Sequence, residues 1–283
     1  MKLEAVGEVI GARVVGLSLA KIPSPDEIEW VEDALERFGV LVFEDQQITP
    51  AQQVEFSRAF GTLEVSRRQH ARHPKHAEVF VIGNSGNKLV TFSPNQPDGE
   101  LEWHTDHIHL TVPARASLLY ALEVPPAGGD TVFACLYSGF DALSPAEQAD
   151  CSGMVAVHSI SGLRRYLEEE HEGGVKDDYE AVQEEVRWPL VRRHPRSGRR
   201  GLYFGAKVTV GIDGMSRDDA ARFVRHLTEL TTQTRFQYRH QWQVGDAVLW
   251  DNRRVVHAGT YYDYDGPTRR LHRTTLAEDQ AVE

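Results

Sequence analysis

The stretch AVLWDNRRVVHAGT (residues 247–260) decides the fold that the sequence predicts. Its two runs of β-branched and aromatic residues are separated by Asp251 and Asn252, and Gly259 closes the second run. Runs of this composition, bounded by Gly, Asn or Asp, predict short β-strands. The stretch therefore predicts two strands joined by a turn that Asn252 braces, with His257 near the end of the second strand.

Similar strand-like runs recur along most of the chain and are separated by turn residues. The segment HPRSGRRGLYF (residues 194–204) predicts a hairpin around Ser197 and Gly198. Many short strands with a few helices favour a β-sandwich or a jelly roll that carries flanking helices. The other strand-like runs are GVLVFED (39–45), AEVFVIG (77–83), LEWHTDHIHL (101–110), ASLLYALEV (116–124), DTVFACL (130–136), WPLVRRH (188–194) and RGLYFGA (200–206).

Three helix starts share one motif, in which a hydroxyl residue precedes Pro and Glu or Gln follows three positions later. This motif predicts a capping box with Pro at the first helical position. We expect the first helix to end at Gly39 and the second at Gly61, and we expect a fourth, amphipathic helix to start at Ser216. The motif occurs at Ser24, Thr49 and Ser144.

The composition places the chain among soluble globular proteins. A chain of 283 residues is long enough to bury a sizeable core. Its 41% hydrophobic and 26% charged residues are ordinary proportions for a globular protein. A net charge of -11 argues against nucleic acid or an anionic membrane as the main partner. No apolar stretch reaches the roughly 18 residues of a membrane span. We therefore expect neither nucleic-acid nor membrane binding.

The chain contains two cysteines, Cys135 and Cys151, and their spacing is not that of a metal site. This usage favours a reducing cytoplasm, and the N-terminal segment has no basic stretch followed by an apolar run. Since no linker rich in Pro, Gly or Ser is present, we expect one domain over residues 1–283, and we expect it to form a homo-oligomer, a dimer or a tetramer. The charged segment at about 161–186 is either a lid or a solvated insertion.

The segment WHTDHIHL (residues 103–110) carries three histidines and one aspartate. In a regular strand, residues two apart point to the same face. His104 and Asp106 would then share one face, while His107 and His109 would share the other as packed or hydrogen-bonded core residues. As an alternative, His107, which directly follows Asp106, supports that residue as a neighbour of the metal site. A metal could be held by only one of these pairs.

The pair His104 and Asp106 offers one imidazole nitrogen and one carboxylate oxygen. Divalent iron and manganese accept this mixture, and two histidines with one carboxylate leave coordination positions open for substrate and oxygen. We expect His257 to supply the second imidazole. Trp103 and Trp250 are expected to pack beside these metal-binding strands.

Four motifs occur in an order and spacing that resemble the TauD/TfdA family of Fe(II)- and 2-oxoglutarate-dependent dioxygenases. The resemblance extends over nearly the whole chain and looks closer to the dichlorophenoxyacetate branch than to the taurine branch. It implies a double-stranded β-helix core, which is a cupin-like jelly roll, with Fe(II), 2-oxoglutarate and O2 as cofactor and cosubstrates. The motifs are WHTD (103–106), GGDT (128–131), WDNRRVVHAG (250–259) and RRLHRTT (269–275).

The resemblance also implies roles for individual residues. His104, Asp106 and His257 would bind iron, while Thr131 and Arg269 would bind 2-oxoglutarate. The distal carboxylate of 2-oxoglutarate suits a planar, two-pronged guanidinium, and the threonine hydroxyl adds a second contact.

Arg269 has an arginine neighbour, Arg270, and a shift of one residue in strand register would exchange the two. The family spacing selects Arg269. Without the other motifs, Arg269 and Arg273 would be interpreted as part of a solvated basic patch.

The resemblance places the substrate near a second arginine, Arg273, which in this family often meets a carboxylate or sulfonate. By alignment, His70 and His73 fall at positions that line the substrate pocket of the taurine enzyme. Glu100 replaces an asparagine of that enzyme, which argues against taurine as the substrate.

Gly205 and Ala206 stand where the taurine enzyme has larger groups, and they predict a roomier pocket for an aryl or long acyl group. Lys207 is predicted as an additional cation at the mouth of this pocket. As a structural alternative, it is an ordinary surface lysine.

The sequence thus predicts an oxidoreductase that hydroxylates a small organic anion and releases succinate and CO2. Aryloxyalkanoates, N-acyl amino acids, and alkylsulfonates or alkylsulfates are the substrate classes considered. Desaturation or oxidative cleavage on the same scaffold remains open. A jelly-roll protein that binds a metal without redox chemistry, and a mononuclear zinc hydrolase, are further alternatives from other classes.

Overall fold

The structure is a computed structural model, and it describes residues 1–66, 68–84, 102–162, 185–279 and 282.

Two sequence predictions fall on the remaining residues. Glu100 and residues 163–184, which form most of the charged segment, lie outside the described part of the chain. The choice between a lid and a solvated insertion therefore stays a prediction.

Short strands dominate the described residues, as the turn-bounded runs predict. The hairpin around Gly198 is confirmed, since the Gly198 amide donates to the His194 carbonyl at 2.7 Å. The strands are β1 (Lys2–Ala5), β2 (Ala12–Val15), β3 (Val40–Phe43), β4 (Arg72–His73), β5 (His76–Gly83), β6 (Ala114–Glu123), β7 (Thr131–Cys135), β8 (Val155–His158), β9 (Val186–Pro189), β10 (Val191–Arg193), β11 (Arg200–Leu202), β12 (Thr209–Ile212), β13 (Gln237–His240), β14 (Ala247–Asp251), β15 (Val255–Gly259) and β16 (Arg270–Ala277).

The helices begin where their capping motifs predict. Ser24, Thr49 and Ser144 each form the predicted capping box, and Ser216 caps the fourth predicted helix. The first helix ends at Gly39, as expected, whereas the second ends before Gly61, the glycine that was expected to close it. The helices are α1 (Pro25–Phe38), α2 (Pro50–Arg58), α3 (Leu136–Asp141), α4 (Pro145–Ser152) and α5 (Arg217–Thr231), with 3-10 turns at Gln69–Ala71 and Thr234–Phe236.

The strands form one large sheet and several smaller ones. The large sheet has the order β1-β2-β3-β14-β6-β16-β5-β4, and a three-stranded sheet has the order β13-β7-β15. A second three-stranded sheet, β12-β8-β9, and the hairpin β10-β11 complete the described strands. All pairs are antiparallel except β2 with β3.

The large sheet and the sheet β13-β7-β15 face each other across a buried apolar core. Val248 and Leu119 of the large sheet belong to the same cluster as Phe133 and Val255 of the small sheet. The alternate residues of the large sheet pack on the other side, in a cluster that includes α1 and α2. Two facing antiparallel sheets with flanking helices confirm the predicted jelly roll.

One predicted strand is wrong. LEWHTDHIHL does not continue as a strand, because its described part forms a single bridge at His104 and then turns from Asp106 onward. His107 adopts a left-handed backbone with φ of 54°, which a regular strand excludes. The alternation of faces predicted beyond Asp106 therefore fails.

No helix in the described ranges has both the length and the apolar character needed to cross a bilayer.

Candidate metal centre and ligand cavity

His104 and His257 are brought together by backbone pairing. The two residues form an isolated antiparallel bridge, with N–O distances of 2.9 and 2.8 Å in its two hydrogen bonds. His257 belongs to β15, whose inner face looks toward the large sheet. The centroids of the two imidazole rings lie 4.2 Å apart.

Asp106 completes a three-residue cluster with these histidines. One potential ligand atom from each residue lies within 4.8 Å of the other two, and the His104 Nε2 to Asp106 Oδ1 distance is 4.0 Å. Two imidazoles and one carboxylate on one side of a metal form the donor set that suits divalent iron. This donor set leaves further coordination positions of the metal open. The residues therefore fit the metal that the sequence implies.

The carboxylate of Asp106 is held on both of its oxygens. Ser117 Oγ donates to Oδ2 at 2.6 Å, and Arg273 Nη1 donates to Oδ1 at 2.7 Å. Asn252 accepts a hydrogen bond from the Asp106 amide and donates to Ser117 Oγ. Asn252 thus braces the metal-binding segment directly, in addition to the turn where it lies.

Asp106 is ionised in this setting. Burial on its own raises the pKa of the Asp106 carboxyl, but the charge of Arg273 is the largest of the opposing causes, which together hold the pKa below its usual range.

Both histidines are kept in the neutral form that metal binding requires. Burial lowers the pKa of His257 to about 3. Burial also lowers the pKa of His104. His104 Nδ1 lies 2.8 Å from the Glu102 carbonyl, to which it donates as the protonated nitrogen, so that the lone pair is on Nε2.

A cavity of about 220 Å³ extends from this cluster between the two facing sheets. Its walls combine apolar side chains with a small number of charged groups, as is usual for small-molecule sites. The apolar and aromatic lining residues are Phe80, Ile82, Trp103, Leu110, Leu119, Ile160, Val208, Trp250 and Tyr262, and the charged ones are Glu64, Arg68, Glu102, Lys207, Arg269 and Arg273, beside the metal-binding cluster.

Thr131 and Arg269 both line this cavity. Arg269 Nη2 and Nε donate to the Gly129 carbonyl at 3.0 and 3.3 Å, and its guanidinium lies 5.3 Å from the Tyr262 ring centroid. Burial lowers the pKa of Arg269. Thr131 Oγ1 accepts a hydrogen bond from Trp242 Nε1 at 3.0 Å, which leaves its own hydrogen available to a ligand.

Arg270, the alternative in the register question, lies elsewhere. Its guanidinium is exposed and pairs with Glu123 at 2.6 Å. Arg269 therefore faces the cavity and Arg270 faces solvent.

Arg273 and Lys207 also line the cavity, as was predicted for a substrate site. Arg273 lies in β16, four residues after Arg269, which immediately precedes that strand. Lys207 is half-buried. Burial raises the pKa of the Glu102 carboxyl to about 7, and the nearby charge of Lys207 opposes this rise in part.

His107 and His109 do not pack away from the metal, contrary to the parity prediction. Both line the cavity, because the turn that begins at Asp106 replaces the expected strand. His107 Nδ1 lies 2.5 Å from Glu64 Oε2. Burial raises the pKa of Glu64, but the hydrogen bond and charge of His107 outweigh burial and lower it.

His70 and His73 are not among the described lining residues. His70 lies in the 3-10 turn that precedes β4. The His73 ring packs 5.4 Å from the ring of His272, which alternates with Arg273 along β16 and therefore points to the opposite face of the sheet. The variable loop is thus shifted relative to the alignment, and Ser66 and Arg68 of the same segment line the cavity instead.

Gly205 does not widen the cavity as predicted, and neither it nor Ala206 is among the described lining residues. A side chain at Gly205 would meet Val208 at 2.8 Å and the His104 backbone at 3.5 Å. The glycine instead allows two backbone segments to approach closely beside the metal centre.

Sequence reasoning missed several residues of the site. Ser117 could have been identified from the sequence, because it is a hydroxyl residue inside an apolar strand and a buried hydroxyl needs a hydrogen-bond partner. The others lie in loops and gave no periodic signal. The missed residues are Glu64, Ser66, Arg68, Asn84, Ser117 and Tyr262.

Comparison with known proteins supports the sequence resemblance. The family model described as "Taurine catabolism dioxygenase TauD, TfdA family" matches residues 2–275. The alpha-ketoglutarate-dependent 2,4-dichlorophenoxyacetate dioxygenase of Cupriavidus pinatubonensis is 34% identical, over 97% of this chain and 96% of the relative. The (S)-phenoxypropionate/alpha-ketoglutarate-dioxygenase of Sphingobium herbicidovorans is 30% identical, over 96% and 93% of the two chains.

A solved structure is similar over the whole length. The crystal structure of AAD-2 in complex with Mn(II) and N-oxalylglycine superimposes with a TM-score of 0.83 and 31% identity, and the match covers 100% of this chain and 99% of that one.

Proposed function

Because the chain belongs to the TauD/TfdA family of α-ketoglutarate-dependent dioxygenases, we propose that His104, Asp106 and His257 are the ligands of its catalytic Fe(II). The protein is an oxidoreductase that uses Fe(II), 2-oxoglutarate (α-ketoglutarate) and O2. Family membership sets aside the zinc hydrolase and the metal-binding protein without redox chemistry. The convergence of two imidazoles and one carboxylate within 4.8 Å carries the assignment of the ligands.

Iron bound at this site supplies the chemistry that couples decarboxylation of 2-oxoglutarate to oxidation of a substrate. One oxygen atom of O2 enters succinate and the other enters the substrate, so that a C–H bond becomes C–OH and CO2 leaves. The surrounding chain holds the ligands in place. Ser117 and Asn252 orient Asp106, and the Glu102 carbonyl orients the His104 ring.

Arg269 and Thr131 bind 2-oxoglutarate in this proposal. A buried guanidinium whose contacts among the described residues are a carbonyl and an aromatic ring retains donors for a carboxylate, and it pairs with one in a two-pronged geometry. The Thr131 hydroxyl, oriented by Trp242, donates to the same group.

The primary substrate is a small organic anion, which is hydroxylated at a carbon near its acidic group. Arg273, with Lys207 and Arg68, gives the remaining part of the cavity its cationic groups, and Phe80, Leu119 and other apolar residues line its walls. Aryloxyalkanoates are the preferred class, since two of the relatives act on such acids by name. N-acyl amino acids and alkylsulfonates or alkylsulfates come next. His70 and His73 are not included in this substrate site.

The proposal also covers the domain organisation, the cellular location, the oligomeric state and the partners of the protein. Residues 1–283 form one dioxygenase domain, which acts in the cytoplasm as a homo-oligomer and binds neither nucleic acid nor membrane. The acidic net charge supports the absence of nucleic-acid and membrane binding, and the two unpaired cysteines support the cytoplasmic location.

Succinate release tests the function. The purified protein is supplied with Fe(II), ascorbate and 2-oxoglutarate, together with a panel of aryloxyalkanoic acids, N-acyl amino acids, alkylsulfonates and alkylsulfates. We expect at least one acid to stimulate succinate release, and we expect the neutral ester of that acid to be a poor substrate. His257→Ala should abolish the stimulation. An ester that is turned over as well as its acid would contradict the anionic substrate.

A further inference from the structure

The segment that carries Arg269 is tied to the end of β5 by the side chain of Asn84. Asn84 directly follows β5, and its amide group contacts the loop that leads from β15 to β16. Its Oδ1 accepts a hydrogen bond from the Arg269 amide at 2.7 Å, and its Nδ2 donates to the carbonyls of Tyr264 and Pro267 at 2.8 and 3.2 Å. One asparagine thus joins three backbone groups of the loop that ends at Arg269.

The partners fix the direction in which the Asn84 amide is turned. A peptide N–H can only donate and a carbonyl can only accept, so the side-chain oxygen must face the Arg269 amide and the NH2 group must face the two carbonyls. The backbone amide of Asn84 also donates to the Arg269 carbonyl at 3.1 Å. Asn84 therefore holds Arg269 through both of its backbone groups.

Close packing of the backbone strengthens this connection. Gly83, the last residue of β5, has a φ of 138°, and a Cβ atom placed there would lie 1.8 Å from the Arg269 carbonyl oxygen. Only glycine permits such a close approach of two backbone segments. The backbone of Arg269 consequently has little freedom to move relative to β5.

Neutral groups position Arg269. Its guanidinium donates to the Gly129 carbonyl and contacts the Tyr262 ring, and no carboxylate of the described residues forms an ion pair with it. Asn84 is neutral as well, and it is not among the described residues that line the cavity. A carboxylate in this supporting role would compensate the buried cation, whereas the amide fixes Arg269 and leaves its charge to a ligand.

We propose that Asn84 is a positioning residue, which holds Arg269 at a fixed distance from the metal centre and thereby selects 2-oxo diacids with the chain length of 2-oxoglutarate. This inference rests on the proposed function, because it takes Arg269 as the partner of the distal carboxylate. A guanidinium that its neighbours hold in one place meets a carboxylate at one distance from the metal. A longer diacid must bend, or it must displace the guanidinium.

Asn84→Ala removes the three side-chain hydrogen bonds and leaves the cavity wall unchanged. Titration calorimetry on protein loaded with Mn(II) measures the Kd of 2-oxoglutarate and of 2-oxoadipate, which is one methylene longer, without turnover. Succinate release gives the KM for 2-oxoglutarate and for the best acid of the panel. Gln46→Ala is the matched control, because the Gln46 amide also joins two backbone groups, the Leu19 amide and the Glu44 carbonyl, and does not line the cavity.

We expect the wild type to prefer 2-oxoglutarate to 2-oxoadipate by about 10-fold or more, as for one extra methylene in a fitted site. Asn84→Ala should raise the Kd and the KM for 2-oxoglutarate by about 3-fold to 10-fold, the range of one net hydrogen bond. The Kd of 2-oxoadipate should rise less, so that the preference falls. The KM for the primary substrate should stay that of the wild type, and Gln46→Ala should change neither diacid.

Unchanged binding of 2-oxoglutarate in Asn84→Ala would overturn the inference. A wild type that binds both diacids equally would do the same, and so would an equal loss of both diacids in the variant, which indicates a role in folding alone. If Asn84→Ala does not fold, the same titrations are made on Asn84→Ser, whose hydroxyl retains an acceptor for the Arg269 amide, and a smaller loss with the same fall in preference is expected.

Failure of the proposed function appears in a different variant. Arg269→Ala would then bind 2-oxoglutarate as tightly as the wild type, whatever the result at Asn84, and the role of Asn84 would fall with it. Weak binding in Arg269→Ala together with wild-type binding in Asn84→Ala would instead contradict the positioning role alone.

Discussion

Arg269 and Arg273 lie four residues apart, the first just before β16 and the second within it, and both line the cavity, yet their surroundings differ. Arg269 is 7% exposed, and its guanidinium contacts the Gly129 carbonyl and the Tyr262 ring. No carboxylate among the described residues lies within ion-pair distance of it. Arg273, in contrast, is paired with the carboxylate of Asp106 at 2.7 Å.

Two arginines four residues apart in the sequence therefore lie in different electrostatic environments. A buried cation without a counter-charge is costly, so Arg269 is poised to gain from an anionic ligand. Arg273 is already compensated by Asp106, so under the proposed function a substrate anion would share it with a metal ligand. Under the proposed function, the Arg269 end would bind a carboxylate through an unpaired guanidinium, whereas the Arg273 end would couple substrate binding to the metal centre.

The largest effect is expected at the Arg269 end. Arg269→Ala should weaken binding of 2-oxoglutarate and raise the KM for this cosubstrate by about 30-fold to several thousand-fold, because losing a buried charge pair costs roughly 2–5 kcal/mol. Steady-state succinate release at varied 2-oxoglutarate measures the change.

Arg270→Ala is the matched control for this variant. Arg270 carries the same side chain one position later, but it is exposed and pairs with Glu123. Its removal should leave the KM for the cosubstrate unchanged. Equal effects of the two variants would mean that burial does not separate these arginines.

Removal of Arg273 should affect both the substrate and the metal. Arg273→Ala is expected to raise the substrate KM on the order of 10-fold to 100-fold, while 2-oxoglutarate is still consumed without coupled oxidation. Because Asp106 loses its partner, Fe(II) affinity should also change, which is not expected for Arg269→Ala. An Arg273→Ala protein with normal substrate KM would remove the contrast between the two ends.

A substitution at Ser117 tests the proposed metal site without changing either arginine. Ser117→Ala removes the hydroxyl that donates to Asp106 Oδ2 and leaves Arg273 in place. Partners that orient a metal ligand typically contribute about 10-fold to 100-fold to metal affinity, and we expect a loss of that size in Fe(II) titrations. Ser57→Ala is the control, since Ser57 is also buried and bonds Thr274 at 2.7 Å on the opposite face of the sheet. A similar loss in both variants would argue against a role at the metal.

The smallest effect on function is expected at His158, which is not among the residues that line the cavity and where burial disfavours the charged imidazole. Burial, with the charge of His109 as a second cause, lowers the pKa of His158 to about 3, from 6.5. Between these two values the unfolded chain binds a proton that the folded protein does not, so stability falls as pH falls from 6.5 toward 3. The slope from one such group is at most about 1.4 kcal/mol per pH unit.

Denaturant unfolding at several pH values measures this slope. His158→Asn should reduce it, whereas substitution of the exposed His226 should not. A slope in His158→Asn that equals the wild type would exclude His158 as its source.

The strand parity argument was correct for the residues that a strand constrains and wrong for those beyond it. His104 lies in a bridge to His257, and both rings contribute a nitrogen to the cluster with Asp106, as alternation predicts. The chain leaves the extended conformation at Asp106, and His107 takes a left-handed backbone. Nothing in the period of the sequence marks this change, because the turn is stabilised by the Glu64 contact from a distant loop.

The choice between Arg269 and Arg270 shows the same division. The sequence spacing selected Arg269, and the described structure places it in the cavity wall, whereas Arg270, the first residue of β16, pairs with Glu123 at the surface. The positions of His70 and His73 could not be predicted in the same way. They lie where a 3-10 turn and a two-residue strand set the register, and an alignment across a variable loop cannot count such residues.

The sequence by itself determined the helix starts, most of the strands, the jelly-roll class and the donor set of the metal, because capping, alternation and ligand chemistry act through neighbouring residues or short spacings. Only the tertiary structure decided that Ser117 and Asn252 hold Asp106, that Gly205 serves close packing, and that Glu64 orients His107. These contacts join residues that are far apart in the chain. Their energies depend on burial and on the geometry of two elements meeting, and no local pattern encodes either quantity.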